Sequence, residues 1–257
     1  MDLQLRDRIV FIGGGSRGIG LGIAETCLEE DAKVAIAARG EERLEEERKR
    51  LASIYGEDRI WSRAGDLTDP ETINATVNEI ESDFGPIWAA VANVGLHPTP
   101  PGYDLEDDVW RAGFNQNLDS AYMLSRAVLQ RLEKRGEGSL LLISSIAGMA
   151  ALGTPLTYGT AKAAMNHLAK ELAGIMGSKG IRINALAPGN VIFPGGDWER
   201  RKNGERGDAW IRWIKREVAL QRFGTPDEIG SAAAYMISPL ASFMTGAIVP
   251  VDGGQSK

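Results

Sequence analysis

Residues Phe11–Gly20 read FIGGGSRGIG, five glycines and one arginine in ten positions that directly follow the apolar run at Ile9 and Val10. Two spacings hold at once: Gly13, Gly15 and Gly18 fit G-x-G-x-x-G, and Gly14, Gly18 and Gly20 fit G-x-x-x-G-x-G. The missing Cβ atoms let backbone N–H groups approach a pyrophosphate at the positive end of a helix. On that reading Gly14, Ser16, Arg17, Gly18, Ile19 and Gly20 form a cofactor-binding loop. A plain strand-to-helix turn has a similar composition, so the loop's meaning rests on what surrounds it.

Outward from the loop, short apolar runs alternate with longer charged segments of helical period, the pattern of a parallel sheet covered on both faces. Strands are predicted near Ile9–Ile12, Lys33–Ala38, Arg59–Arg63, Ile87–Ala92, Ser139–Ser144, Arg182–Ala187 and Ala247–Val251. Helices are predicted near Ile19–Glu30, Glu41–Tyr55, Pro70–Phe84, Leu105–Arg135, Tyr158–Met176 and Pro226–Ile237. The fold class is therefore α/β, with residues 1–257 as one domain. The alternation is interrupted only between Gly189 and Glu217, which reads as a substrate-lid insertion at about 190–217.

Composition narrows the function classes. The chain has 257 residues, 43% of them hydrophobic, and a formal charge of -6, which speaks against nucleic-acid binding. No apolar run approaches the ~20 residues of a membrane span, and the N-terminus lacks the core of a signal peptide. The single cysteine, Cys27, falls at an apolar helical position, so a buried thiol in a reducing, cytoplasmic setting is expected. His97 and His167 are the only histidines, and no cluster has metal-ligand spacing, so no metal is expected.

The second glycine spacing, and a series of short motifs that follow it in order, resembles the short-chain dehydrogenase/reductase family, ketoacyl-reductase-like branch. Asp66 and Leu67 stand at the family's adenine-contacting pair. Ala92-Asn93-Val94-Gly95 stands where the family writes Asn-Asn-Ala-Gly, with two letters changed. Asn117, Ser145, Tyr158 and Lys162 fall at its catalytic asparagine, serine and Tyr-x-x-x-Lys, and Pro188-Gly189 and the VDGG at Val251–Gly254 complete the series. The resemblance implies a Rossmann fold with strand order 3-2-1-4-5-6-7. It further implies cofactor contacts from Asn93, Gly95, Tyr158, Lys162, Pro188 and Gly189, and a homotetramer by default, with a dimer next. Lys162 would grip the nicotinamide ribose, and Asn117 would hold a water. Where the family often has a threonine that touches the nicotinamide amide, this chain has Phe193, so that contact is expected from backbone around Val191.

Dinucleotide folds that bind NAD end the second strand with an acid on the ribose hydroxyls. Here KVAIAARG puts Ala38 in that place and Arg39 after it. Arg17 and Arg39 could converge on a ribose 2'-phosphate, which gives NADP(H) as the cofactor; alternatively, Arg39 simply begins the charged helix. Tyr158 and Lys162, four apart on a helix, share a face. A nearby ammonium favours the ionised phenol, so the pair is suited to proton exchange. Ser145, at a strand's carboxyl end, is placed to hold a substrate oxygen, with Ser144 facing the other way.

The expected activity is reversible NADPH-dependent reduction of a carbonyl. A sugar, polyol or hydroxysteroid dehydrogenase, or a non-catalytic NADP(H)-sensing protein, stays open. His97 and Trp198 are candidate substrate contacts, with a bland loop residue as the other reading of His97. Trp210, Trp213, Ile214 and Val218 form an apolar stripe for the lid. Arg200, Arg201, Lys202 and Arg206 either meet an anionic substrate or are solvated surface.

Overall fold

The strands of a sheet buried on both faces are apolar at nearly every position, and of the seven runs here the inner ones are mostly so, whereas the edge runs Ile60–Ala64 and Ile248–Val251 are only partly buried. In the computed structural model, which describes residues 2–95 and 99–256, the seven are β1 (Ile9–Gly13), β2 (Lys33–Ala38), β3 (Ile60–Ala64), β4 (Ile87–Ala92), β5 (Gly138–Ile143), β6 (Ile181–Pro188) and β7 (Ile248–Val251). All pairings are parallel, in the order β3-β2-β1-β4-β5-β6-β7, as the resemblance implied.

Side chains on each strand alternate between two apolar clusters. Val10, Ile12, Val34, Ile36, Leu141 and Ile143 face one, which α1 (Gly18–Glu29), α2 (Glu41–Tyr55) and α9 (Pro226–Ile237) cover. Ile9, Phe11, Ala35, Ala37, Leu140 and Leu142 face the other, covered by α3 (Pro70–Glu79), α5 (Ser120–Arg135) and α6 (Leu156–Met176). α1 and α9 cross at glycines: a Cβ on Gly22 would stand 2.6 Å from Pro226 Cβ, and one on Gly230 would stand 2.7 Å from the Gly22 carbonyl oxygen.

Register brings the carboxyl ends of the strands into line. Gly13, the last residue of β1, pairs with Ala37 on one side and Ala92 on the other. Chain connections run in opposite directions from β1 and β4, and the carboxyl ends there flank a crevice of the kind in which open α/β sheets bind ligands.

Three segments differ from the sequence expectation, the first being the predicted Pro70–Phe84 helix, which is α3 to Glu79 followed by a π-helical turn over Ile80–Phe84. The helix predicted from Leu105 to Arg135 is α4 (Asp107–Phe114) and α5 joined by one π-helical turn, Asn115–Asp119. Its wider ring is closed by the Ser120 amide donating to the Asn115 carbonyl. Between β6 and α9 the chain forms α7 (Asp197–Asn203) and α8 (Gly207–Glu217). The predicted stripe is the α8 face, with Ile214 and Val218 buried. α7 escaped prediction because DWERRKN has one apolar residue and hence no period to detect.

Candidate active site

The glycine loop turns directly from β1 into α1. The Gly14 amide donates to the Ala37 carbonyl at 2.7 Å, and Gly14 and Gly18 take φ of +81° and +56°, where a side chain is strained. A Cβ on Gly20 would lie 2.1 Å from the Gly14 oxygen and 2.5 Å from Asn93 Nδ2. Asn93 is the tie: its amide N–H donates to the Gly13 carbonyl at 3.2 Å, and its Nδ2 to the Gly14 carbonyl at 3.0 Å. Ser16 is buried, and Ile19 half-buried, at the same turn.

These residues fit a dinucleotide. The cradle closes wherever a Cβ is added, and α1 begins at Gly18 with no side chain capping its N-terminus, which leaves N–H groups for an anion. Arg17 and Arg39 are exposed. Among the described residues neither guanidinium has an ion pair or hydrogen bond, whereas Arg48 and Arg50 of α2 are each held by two glutamates. Asp66 lies past β3, its carboxylate accepting from the Thr68 amide and hydroxyl, both at 2.9 Å. Leu67 is buried, 3.1 Å from a Cβ built on Gly13.

The four residues expected to act together converge. Lys162 is buried on α6, its Nζ 5.8 Å from the Tyr158 ring centroid and donating to the Ile143 carbonyl at 2.7 Å. Asn117 is fully buried in the π-helical turn, its Nδ2 donating to the Gly113 carbonyl at 2.8 Å. A Cβ on Gly95 would stand 3.2 Å from Asn117 Oδ1 and 3.5 Å from Lys162 Nζ, so both groups lie beside Gly95. Ser145 follows β5, its Oγ accepting from the Ala147 amide at 3.1 Å, and its hydroxyl is near enough to the Tyr158 phenol to lower the phenol's pKa. Ser144 points the opposite way, donating to the Lys162 carbonyl at 3.2 Å.

The electrostatics differ from the sequence argument. Burial pushes the Tyr158 phenol up, and the Ser145 hydroxyl pulls it part of the way back. Burial also pushes the Lys162 ammonium down to about 7. Desolvation of both groups, rather than attraction of the phenolate to a fixed ammonium, governs this pair.

Pro188 closes β6, and Gly189 follows with its amide on the Val251 carbonyl at 3.0 Å. A Cβ there would stand 2.8 Å from Asp252 Cα. Val191 is buried and bridges to Gly224. Trp198 lies within an aromatic cluster, its ring centroid 5.7 Å from Trp210, 5.9 Å from Trp213 and 5.4 Å from Phe223. Arg201 sits 5.1 Å from the Trp198 and Trp210 centroids and 2.6 Å from Asp197, which also pairs with Arg200. His97 lies outside the described residues. Sequence reading missed Phe223 in the cluster and the contact of the Phe193 ring with Gly18. The signal for the latter was the aromatic ring at a position where threonine is usual.

Residues 14–256 match the family model described as enoyl-(acyl carrier protein) reductase. The chain belongs to the short-chain dehydrogenase/reductase family. That membership makes it an oxidoreductase. It is 31% identical to a 3-oxoacyl-[acyl-carrier-protein] reductase of Chlamydia muridarum, covering 100% of both chains. It is 28% identical to 2-(S)-hydroxypropyl-CoM dehydrogenase 3 of Xanthobacter autotrophicus, over 100% of this chain and 99% of that one. Among solved structures, L-sorbose reductase from Gluconobacter frateurii, complexed with NADPH and L-sorbose, superposes with a TM-score of 0.92 at 28% identity, covering 100% of this chain and 99% of that one.

The buried lysine has a consequence for stability. In the folded chain Lys162 releases its proton near pH 7, against 10.5 for the ordinary side chain. Between these values the unfolded chain binds more protons, so this group makes stability rise with pH. Lys162→Met should therefore flatten the rise of melting temperature between about pH 7 and 9 relative to wild type. An unchanged slope would show that the ammonium stays protonated in the folded chain.

Proposed function

We propose that this protein is an NADPH-dependent carbonyl reductase, reversible as an alcohol dehydrogenase, with Ser145, Tyr158, Lys162 and Asn117 as its catalytic set. The observation that carries this reading is the convergence of Ser145 and Tyr158 with the buried Lys162 at the carboxyl end of β5, the Lys162 Nζ 5.8 Å from the Tyr158 ring centroid. NADPH, when bound in the loop, would supply a hydride for the carbonyl carbon. Ser145 holds the substrate oxygen, and Tyr158 donates the proton that completes the alcohol. Lys162, titrating near 7, stands one helical turn away to reset the phenol, and Asn117 Oδ1 lies beside Gly95, as Lys162 Nζ does.

Gly14, Ser16, Gly18, Ile19 and Gly20 line the pyrophosphate, and Asp66 and Leu67 the adenine side. Arg17 and Arg39 take the 2'-phosphate, a role supported by two exposed guanidiniums that have no partner among the described residues and by Ala38 where an NAD-binding chain carries an acid. A sensor that never turned over would gain nothing from burying a lysine beside a tyrosine, which costs desolvation of both. A sugar or polyol substrate is the second reading, favoured by the end-to-end likeness to the sorbose reductase. The Asp197 pairing of Arg200 and Arg201 supports the solvated-surface reading of those cations.

Titration should show NADPH bound at least about tenfold more tightly than NADH, or ~1.4 kcal/mol. Ala38→Asp with Arg39→Ala should move that preference toward NADH, and equal wild-type affinities would remove the 2'-phosphate assignment.

Tyr158→Phe keeps the ring and loses the proton donor. With a panel of ketones, ketoses and acyl thioesters, its turnover should fall by about 100-fold or more while NADPH still binds. A near wild-type rate would place the proton source elsewhere, and reduction by wild type of enoyl thioesters alone would overturn the carbonyl assignment.

A further inference from the structure

Phe193 occupies a mechanically unusual position. A Cβ built on Gly18, the first residue of α1, would stand 2.6–2.9 Å from three atoms of the Phe193 ring, so the ring lies flat against the bare Cα of the glycine loop. It also meets Gly196, where a Cβ would be 3.0 Å from Cε2. Glycine at both places is what lets an aromatic ring fit between α1 and the start of α7.

The backbone on either side of that ring is fixed in two different ways. Before it, the Ile192 amide donates to the Gly224 carbonyl and the Gly224 amide to the Asn190 carbonyl, both at 3.0 Å. After it, Phe193-Pro194-Gly195-Gly196 forms a tight β-turn closed by the Gly196 amide on the Phe193 carbonyl at 3.0 Å, with Gly195 at φ +72°. This turn is bonded to α7: the Gly195 amide donates to the Glu199 carboxylate at 2.7 Å, and Arg200 donates back to the Gly195 carbonyl at 2.9 Å. α7 is bonded in turn to α8 through the stacking of Trp198 on Trp213 and its edge contact with Trp210. A continuous packed path therefore runs from Gly18 through the Phe193 ring and the turn to α7 and α8.

We propose that Phe193 is a positioning residue that transmits dinucleotide binding at the glycine loop to the α7–α8 segment. The inference rests on the dinucleotide reading given above. A phosphate held by the amides at the start of α1 would lie beside Gly18, whose Cα the ring covers, and its binding would therefore act on the place of the ring. Because the turn ties the ring to α7, a ring held or displaced at Gly18 holds or displaces the helix pair. A threonine at this position would offer the dinucleotide one hydroxyl. Phenylalanine offers no hydrogen bond and a rigid plane, which suits a mechanical contact.

The test compares hydrogen exchange of residues 197–217 in the full chain with and without saturating NADP+, with NADP+ affinity measured separately by calorimetry. In wild type, NADP+ should slow exchange in this segment by about tenfold or more. Phe193→Ala should still bind NADP+, within about tenfold of the wild-type affinity, yet lose most of that protection, and Phe193→Leu should recover part of it. The Leu variant also keeps the test open if the Ala variant folds poorly. Equal protection in wild type and both variants, or none in a wild type that binds NADP+, would overturn the coupling and leave the dinucleotide assignment standing. A wild type that binds neither NADP+ nor NAD+ would overturn both.

Discussion

The contact on which the site depends is the approach of α1 to the end of β1, where Gly20 lies so close to the Gly14 carbonyl that no Cβ fits between them. Asn93 locks that approach from β4 with two hydrogen bonds, so three consecutive features of the sheet edge are held in one unit. From there the geometry propagates. α1 is fixed in direction, its Gly22 receives Pro226 at the start of α9, and Gly18 receives the Phe193 ring of the segment after β6. Glycines serve here as surfaces of contact more than as points of flexibility.

Across the crevice a second constraint operates, the burial of Lys162 and the partial burial of Tyr158 on one turn of α6. Attraction between a phenolate and an ammonium would lower the one and raise the other, yet burial drives both in the opposite sense. The outcome is an amine that titrates near neutrality beside a phenol that stays protonated, a combination suited to giving a proton away and recovering it. The π-helical turn belongs to this same arrangement. Asn117 Nδ2 donates to the Gly113 carbonyl, and its Oδ1 lies beside Gly95.

Most of the sheet was legible in the sequence because strands buried on both faces announce themselves as apolar runs, and the strand ends moved by only a residue. The loop, Ser145, Tyr158 and Lys162 were legible because each depends on local spacing. What escaped reading depends on side chains distant in sequence. α7 has no apolar period, and its place comes from Trp198 packing on Trp210, Trp213 and Phe223. The π turn changes one hydrogen bond in a run whose composition is simply helical. The proton affinity of Lys162 follows from its burial beneath β5 rather than from its distance to Tyr158 in the sequence. The loss of threonine at Phe193 was visible, but its contact with Gly18 was not.

The central claim is that the Gly14–Gly20 approach builds a dinucleotide cradle, and it is tested most directly by calorimetric titration of NADP+ into Gly20→Ala beside wild type, with circular dichroism to verify the fold. Affinity for NADP+ should fall by about 100-fold or more while the helical and sheet signals persist, because the added methyl pushes α1 off the Gly14 carbonyl. Wild-type affinity in a folded Gly20→Ala protein would contradict the claim.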